Sequence, residues 1–253
     1  MGGWQHLVCL PRFALVAAAP GAVQRAMTET FQDRLDGIRA RMAAACARAG
    51  RRPDEVQLVA VSKTFGAEHV RAAAACGVRI FGENKVQEAE AKLPGCPGNL
   101  SWHLVGHLQS NKAARAVAIF DQIHAVDSLK LLQKLEAAAA AEGKRLPVLL
   151  EINVSGESSK FGLVPAVASE LLAAAGALEY ASVAGLMTMP PFAPEAEKTR
   201  THFRRLRELR DAWRAQFGLP LAELSMGMSH DFEVAIEEGA TWIRIGTALF
   251  GVR

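Results

Sequence analysis

Val56-Gln57-Leu58-Val59-Ala60-Val61-Ser62-Lys63 is an apolar run of strand length that ends on an amine. Side chains alternate across a strand, so Val59, Val61 and Lys63 share one face, and the run predicts an apolar interior that opens at a lysine. Desolvation at such a place disfavours the ammonium form and prepares a neutral amine to form a Schiff base. Seen alone, the lysine reads first as a solvated residue leaving a strand. The pattern downstream reverses that reading.

Working outward, eight strand-like segments fall at residues 56–63, 78–83, 100–105, 122–127, 147–154, 182–188, 223–227 and 242–248. Helical patterns separate them, for example over Leu129–Ala141 and Thr199–Phe217. Ahead of the first strand, residues 28–49 carry Phe31, Leu35, Ile38 and Met42 at helical spacing. Regular alternation implies parallel strands joined by right-handed crossovers, and eight such units build a single α/β fold, a closed (β/α)8 TIM-type barrel. A doubly wound open sheet is the alternative, but no Gly-x-Gly-x-x-Gly turn follows the first strand. Only three residues follow Phe250, so no helix is expected after strand eight, and the 28–49 helix is expected to cover that gap.

The chain of 253 residues is half hydrophobic, enough for a substantial core. No apolar run reaches membrane-spanning length, so no membrane partner is expected. A net charge of +3 does not call for a nucleic-acid partner. Cys9, Cys46, Cys76 and Cys96 are scattered, without metal-ligand spacing or the density of a disulfide scaffold, which fits a reducing cytoplasm. Residues Phe13–Ala19 are apolar and end at Pro20-Gly21, but no basic cluster of a secretory signal precedes them. Met27-Thr28 then opens a helical pattern. The expected organisation is an unstructured extension or over-long start at 1–26 and a barrel domain at 27–253.

Barrel chemistry lies at the carboxyl ends of the strands, with phosphate frequently held after strands seven and eight. Strand seven runs into Ser225-Met226-Gly227-Met228-Ser229-His230, where Ser229 reads as the start of the next helix and its amides as an anion cradle. Strand eight runs into Arg244-Ile245-Gly246-Thr247, a small residue beside a hydroxyl donor. An ordinary helix cap at Ser229 and a packing glycine at Gly246 are the plainer readings. A Schiff-base lysine from strand one and a two-part phosphate cup together fit pyridoxal 5'-phosphate (PLP). His103 and His107 suggest a metal at first sight, but Gly106 interrupts any helix between them and no ligand cluster accompanies them, so no metal is expected. Lys198, Arg200, Arg204, Arg205, Arg207, Arg210 and Arg214 flank the apolar stripe Phe203, Leu206, Leu209, Trp213 and Phe217, which reads as a barrel helix with a solvated basic face.

From residue 30 to the end the chain resembles the YggS/PROSC family of PLP-binding homeostasis proteins. The resemblance runs through Ala60-Val61-Ser62-Lys63, Phe81-Gly82-Glu83-Asn84, Trp102-His103, Gly106-His107-Leu108-Gln109-Ser110-Asn111-Lys112, Gly185-Leu186-Met187, Ser225-Met226-Gly227-Met228-Ser229 and Arg244-Ile245-Gly246-Thr247-Ala248-Leu249-Phe250-Gly251. It implies a barrel like the N-terminal domain of alanine racemase, with Lys63 as the lysine of the internal aldimine. Ser229, Gly246 and Thr247, with Ser225 nearby, match its phosphate-binding region. Arg244 matches the residue facing the pyridine nitrogen, where a fixed cation disfavours ring protonation and weakens the electron sink. Asn84 and Met187 match strand ends lining the same pocket. The loop Glu157-Ser158-Ser159-Lys160-Phe161-Gly162 resembles one near the barrel mouth, with Lys160 as a candidate second reactive lysine. The chain departs from the family pattern at His107, often proline, and at Lys85, often aromatic.

The implied function is PLP homeostasis and supply in the cytoplasm by a monomer, without substantial catalysis, with PLP-requiring apoenzymes as partners. A PLP-dependent racemase or decarboxylase is the alternative. Two-base racemisation needs an acid or base on each face of the substrate, and the one tyrosine, Tyr180, precedes strand six and belongs at the opposite end of the barrel. A phosphosugar enzyme is a third, weaker reading.

Overall fold

The computed structural model describes residues 1, 30–157 and 161–251. Eight strands form one closed barrel in sequence order: β1 Gln57–Val61, β2 Ile80–Glu83, β3 Ser101–Leu104, β4 Gln122–Val126, β5 Leu146–Glu151, β6 Ala181–Met187, β7 Glu223–Met228 and β8 Trp242–Ile245. Every neighbouring pair is parallel, and β8 closes on β1 with Val59 opposite Arg244. The TIM-type barrel expected from the alternation is the fold that forms.

The helices are α1 Phe31–Arg48, α2 Ala67–Ala75, α3 Val86–Lys92, α4 Ala113–Ile119, α5 Leu129–Glu142, α6 Pro165–Ala175, α7 Arg200–Phe217, α8 Phe232–Glu237 and α9 Thr247–Phe250. Local chemistry sets several ends. Ser128 caps α5 by accepting from the amide of Leu131 at 3.3 Å, and Gly143, at φ 61°, ends it in the left-handed region that an L side chain resists. Pro165 opens α6, where a missing amide costs nothing.

The strands are mostly shorter than the sequence pattern predicts, because apolar runs continue into the turns. Ser62 adds one more ladder bond, its amide donating to Gly82 O at 3.0 Å, before Thr64 turns the chain at φ 67°. At the other end of the chain, a four-residue helix, α9, does follow strand eight; Gly246 leaves the strand and its carbonyl accepts the amides of Leu249 and Phe250. As expected, α1 takes the place of a longer eighth helix. Its Arg41 pairs with Glu233 and its Arg48 with Glu237, both on α8, while Phe31 packs on Phe250 of α9 with ring centroids 5.5 Å apart.

The main apolar core lies between the barrel wall and the helices, around Phe81, Phe120, Phe203 and Phe232, all fully buried. Inside the barrel are two smaller clusters, Val59 with Val61 and Val105, and Ala125 with Leu149 and Met187; Trp242 packs against both. Burying these side chains supplies the drive for closure.

On α7 the apolar stripe is buried as its spacing predicts, but the basic face is only partly solvated. Arg200, Arg204 and Arg207 converge on Glu238, a buried carboxylate just after α8. Burial would push this carboxyl up, but the arginine hydrogen bonds and charges outweigh that and hold it low. Helix periodicity locates the polar face, whereas the neighbour on that face comes from packing. Among the described residues, no helix is long and apolar enough to cross a membrane. Lys160 and the expected extension lie outside the described residues, save Met1.

Candidate functional site

A cavity of about 670 Å³ opens at the carboxyl ends of the strands. Lys63 and Asn84 line it from the β1 and β2 ends, Ser229 from the β7 loop, and Arg244, Gly246 and Thr247 from β8 and the turn beyond it. Six of the eight residues singled out from the sequence therefore face one space, within the size range of small-molecule pockets.

Lys63 is exposed, not desolvated as the strand pattern suggests. The strand ends two residues earlier, so the amine stands at the open mouth and not in the apolar slot formed by Val59 and Val61.

Arg244 makes the floor and is 4% exposed. Its Nη1 donates to Ser225 Oγ at 2.6 Å and its Nη2 to Thr188 O at 3.0 Å. Burial lowers its pKa to about 10, opposed by the charges of Glu151 and Asp231, so it remains a cation at neutral pH. Ser225 does not line the cavity; it lies beneath, as the support of Arg244. Below it, His124 Nδ1 meets Ser225 Oγ at 2.8 Å, and His124 Nε2 meets His103 Nδ1 at 3.0 Å. Since β4 and β7 are not neighbours, the contact between His124 and Ser225 crosses the barrel interior. Burial lowers His103 to about 4 and His124 well below the usual histidine value, so both are neutral.

Met187 is the other residue that does not reach the cavity. It is fully buried and packs on Ala125 and Leu149 inside the barrel, while Met189, exposed, lines the cavity two residues on. The change follows from where β6 stops: Thr188 is tied down by its hydroxyl, which donates to Ile152 O at 2.9 Å, and the chain then lifts over the rim.

Ser229 is not a helix cap. The short helix α8 begins at Phe232 with Asp231 before it, and the Asp231 carboxylate accepts the Met228 amide at 2.8 Å. Ser229 Oγ instead accepts the amide of Ala248 at 3.3 Å, which joins the β7 and β8 loops into one wall. Gly227 permits this course. It sits at φ 90°, and a Cβ there would stand 2.5 Å from Ala235 Cβ and 2.9 Å from Phe232 Cα.

The sequence reading missed Phe65 and Glu151, and gave no site role to Met189, His230 or Phe161. Glu151 had the same signal as Lys63, a polar residue ending an apolar strand. It is 3% exposed, and burial, reinforced by Asp127 and opposed by Arg244 and His107, raises its carboxyl to about 7. It is the only carboxylate lining the cavity among the described residues. His107 is fixed by Asp127 at 2.8 Å, and the Phe161 ring stacks on it at 4.6 Å, so this departure from the family pattern forms part of the mouth. His103 contacts His124 in the buried interior, whereas His107 contacts Asp127 at the mouth.

A family model described as "Alanine racemase, N-terminal domain" matches residues 34–253, which sets the class of this barrel. The "Pyridoxal phosphate homeostasis protein" of Pseudomonas aeruginosa is 45% identical over 229 residues, covering 88% of this chain and 96% of that protein. Its namesake in Aquifex aeolicus is 42% identical over 222 residues, covering 87% and 97%. The solved structure of PipY from Synechococcus elongatus PCC7942 with PLP bound is 40% identical, with a TM-score of 0.78, covering 88% of this chain and 100% of that one. The chain belongs to the pyridoxal phosphate homeostasis protein family.

Proposed function

We propose that this chain binds PLP through a covalent link to Lys63 and serves cytoplasmic PLP homeostasis as a monomer, holding the cofactor and releasing it to apoenzymes without substantial catalysis. The observation that carries the reading is the meeting of Lys63, Arg244, Ser229 and Thr247 around one cavity. The names of the relatives and the PLP bound to PipY support it.

The residues suit the cofactor chemically. PLP brings an aldehyde with which a primary amine condenses, and a phosphate. Lys63 supplies an amine at an accessible mouth. Ser229 and Thr247 supply hydroxyls on the wall formed by the two loops, and Gly246 leaves backbone accessible there. Arg244 supplies a fixed cation that disfavours a proton on a facing ring nitrogen, which weakens the cofactor as a sink for carbanion electrons. Asn84 lines the cavity between Lys63 and His107. Tyr180 lies just before β6, at the amino end of the barrel, away from this mouth. No tyrosine of this chain therefore serves as a second base there.

The test is incubation of the PLP-loaded protein with a panel of L-amino acids, following deuterium exchange at the α carbon and product chirality, beside delivery of PLP to an apoenzyme. Restored apoenzyme activity without exchange is the expected result. Robust Lys63-dependent exchange or racemisation overturns the carrier reading in favour of a racemase or decarboxylase.

A further inference from the structure

Beneath the Lys63 turn lies a buried ionic cluster that does not line the cofactor cavity. Glu83, the last residue of β2, is 0% exposed, and Lys92, the last residue of α3, is 7% exposed. Lys92 Nζ donates to Glu83 Oε1 and, at 2.8 Å, to the carbonyl of Ser62. Ser62 Oγ donates to the same Glu83 oxygen at 2.6 Å. Glu88, one helical turn before Lys92 and 3.8 Å from its amine, accepts the backbone amide of Thr64.

Both neighbours of Lys63 are thereby held by one set of charges, while Lys63 itself is left free at the mouth. The hold on Thr64 is needed because that residue adopts φ 67°, a left-handed conformation that a β-branched side chain disfavours. Burying an ion pair is costly, and apolar residues of similar volume would commonly fill such a space at no loss of stability. Glu83 Oε2 adds to that cost, since it is buried with no hydrogen-bond partner among the described residues. An arrangement this costly, wrapped around one turn, points to a task at that turn.

We propose that Glu83, Lys92 and Glu88 are positioning residues that set the Ser62-Lys63-Thr64 turn so that the Lys63 amine meets the PLP aldehyde in a reactive orientation. The proposal rests on the cofactor reading above and extends it. Condensation joins the Lys63 nitrogen to the aldehyde carbon and releases the carbonyl oxygen as water; the clamp takes part in no bond making and acts only through the turn. Holding two reacting groups in line is worth orders of magnitude in rate, so loosening the turn is expected to slow condensation while sparing affinity for ligands that cannot condense.

The test compares the full-length protein with the charge-neutral pair Glu83→Gln/Lys92→Met, with Glu88→Gln and with Lys92→Arg. Two probes are used: PLP, followed by borohydride trapping and peptide mapping, and pyridoxine 5'-phosphate, which carries an alcohol in place of the aldehyde. Trapping at Lys63 is expected to slow by about 10- to 100-fold in the double variant and less in Glu88→Gln, with Lys92→Arg restoring much of the rate. The Kd for pyridoxine 5'-phosphate is expected to stay within about 2-fold of wild type. An unchanged trapping rate in a folded double variant overturns the proposal, as does a parallel loss with both probes. Should the double variant fail to fold, Glu88→Gln decides on the same two readouts. A wild-type protein that forms no adduct at Lys63 overturns the cofactor reading itself, a result visible before any variant is compared.

Discussion

Arg244 Nη1 and His124 Nδ1 meet at a single oxygen, Ser225 Oγ, at 2.6 and 2.8 Å. At the far end of the same run of hydrogen bonds, Ser101 Oγ donates to Asp121 and so accepts from His103 Nε2. Neutral His103 therefore accepts at Nδ1 from His124, whose Nδ1 is left to accept the Ser225 proton while the guanidinium donates to the same hydroxyl oxygen. The His124 proton then lies on Nε2, directed at His103 Nδ1 3.0 Å away. Neutral imidazoles suit this column, because a second charge beside a buried guanidinium would be repelled. The column gives Arg244 one orientation at the cavity floor, and it ties β8 to β7, β4 and β3 through the barrel interior.

Replacement of Lys63 by alanine is expected to abolish the main borohydride-stable PLP adduct, with any remaining adduct minor and on another amine. Lys63 lines the cavity mouth and is exposed, so its loss leaves the core untouched. Mass mapping after reduction checks this; an adduct of unchanged yield on an unrelated lysine refutes it.

Arg244→Glu is expected to raise the pKa of the bound pyridine nitrogen and alter the absorbance titration of the PLP-loaded protein, because an anion favours the protonated ring. The change also places a carboxylate where Ser225 Oγ and Thr188 O now accept from the guanidinium, and a lower melting temperature should accompany it. A folded variant with unchanged titration and PLP affinity would show that this side chain does not act on the ring.

Glu151 makes stability depend on pH in a definite direction. Its carboxyl ionises at about 7 in the folded protein against 4.5 ordinarily, so between those values the folded state holds more protons than the unfolded one. Its contribution is intact below about pH 4.5 and is lost as pH rises through about 7, on the order of 3 kcal/mol in all. Glu151→Gln is expected to flatten the fall in stability between pH 5 and 8 and to raise the melting temperature at the alkaline end. Denaturant unfolding across that range measures it; identical pH profiles for the two proteins would contradict the assignment.

Gly227→Ala is expected to destabilise the protein by roughly 2–4 kcal/mol, since a side chain there meets both a positive φ and the packed face of α8. Gly143→Ala, also at positive φ but with open space around it, should cost only about 1 kcal/mol. Weaker PLP binding should accompany the first change alone, because Gly227 carries the chain to Ser229. Urea unfolding of the two variants separates packing from backbone strain, and equal losses would deny the close approach a role.

The sequence by itself determined the alternation of strands and helices and hence the closed parallel barrel, because periodicity reflects which side of each segment meets the core. It also brought the Lys63, Ser229 and Arg244-Ile245-Gly246-Thr247 segments to one end of the molecule, since in parallel strands every carboxyl end lies on the same rim. Tertiary structure alone decided which side chains reach the cavity. Met187 turned inward and Met189 outward because β6 stops between them, and Ser229 met Ala248 instead of capping α8 because the two loops pack together. The column from Arg244 to His103 and the Glu83–Lys92 pair join residues 9 to 101 positions apart along their successive contacts. The longest of these bonds forms only when the barrel closes, since it joins strands that are not neighbours in the sheet, and no local pattern encodes a partner on the far wall.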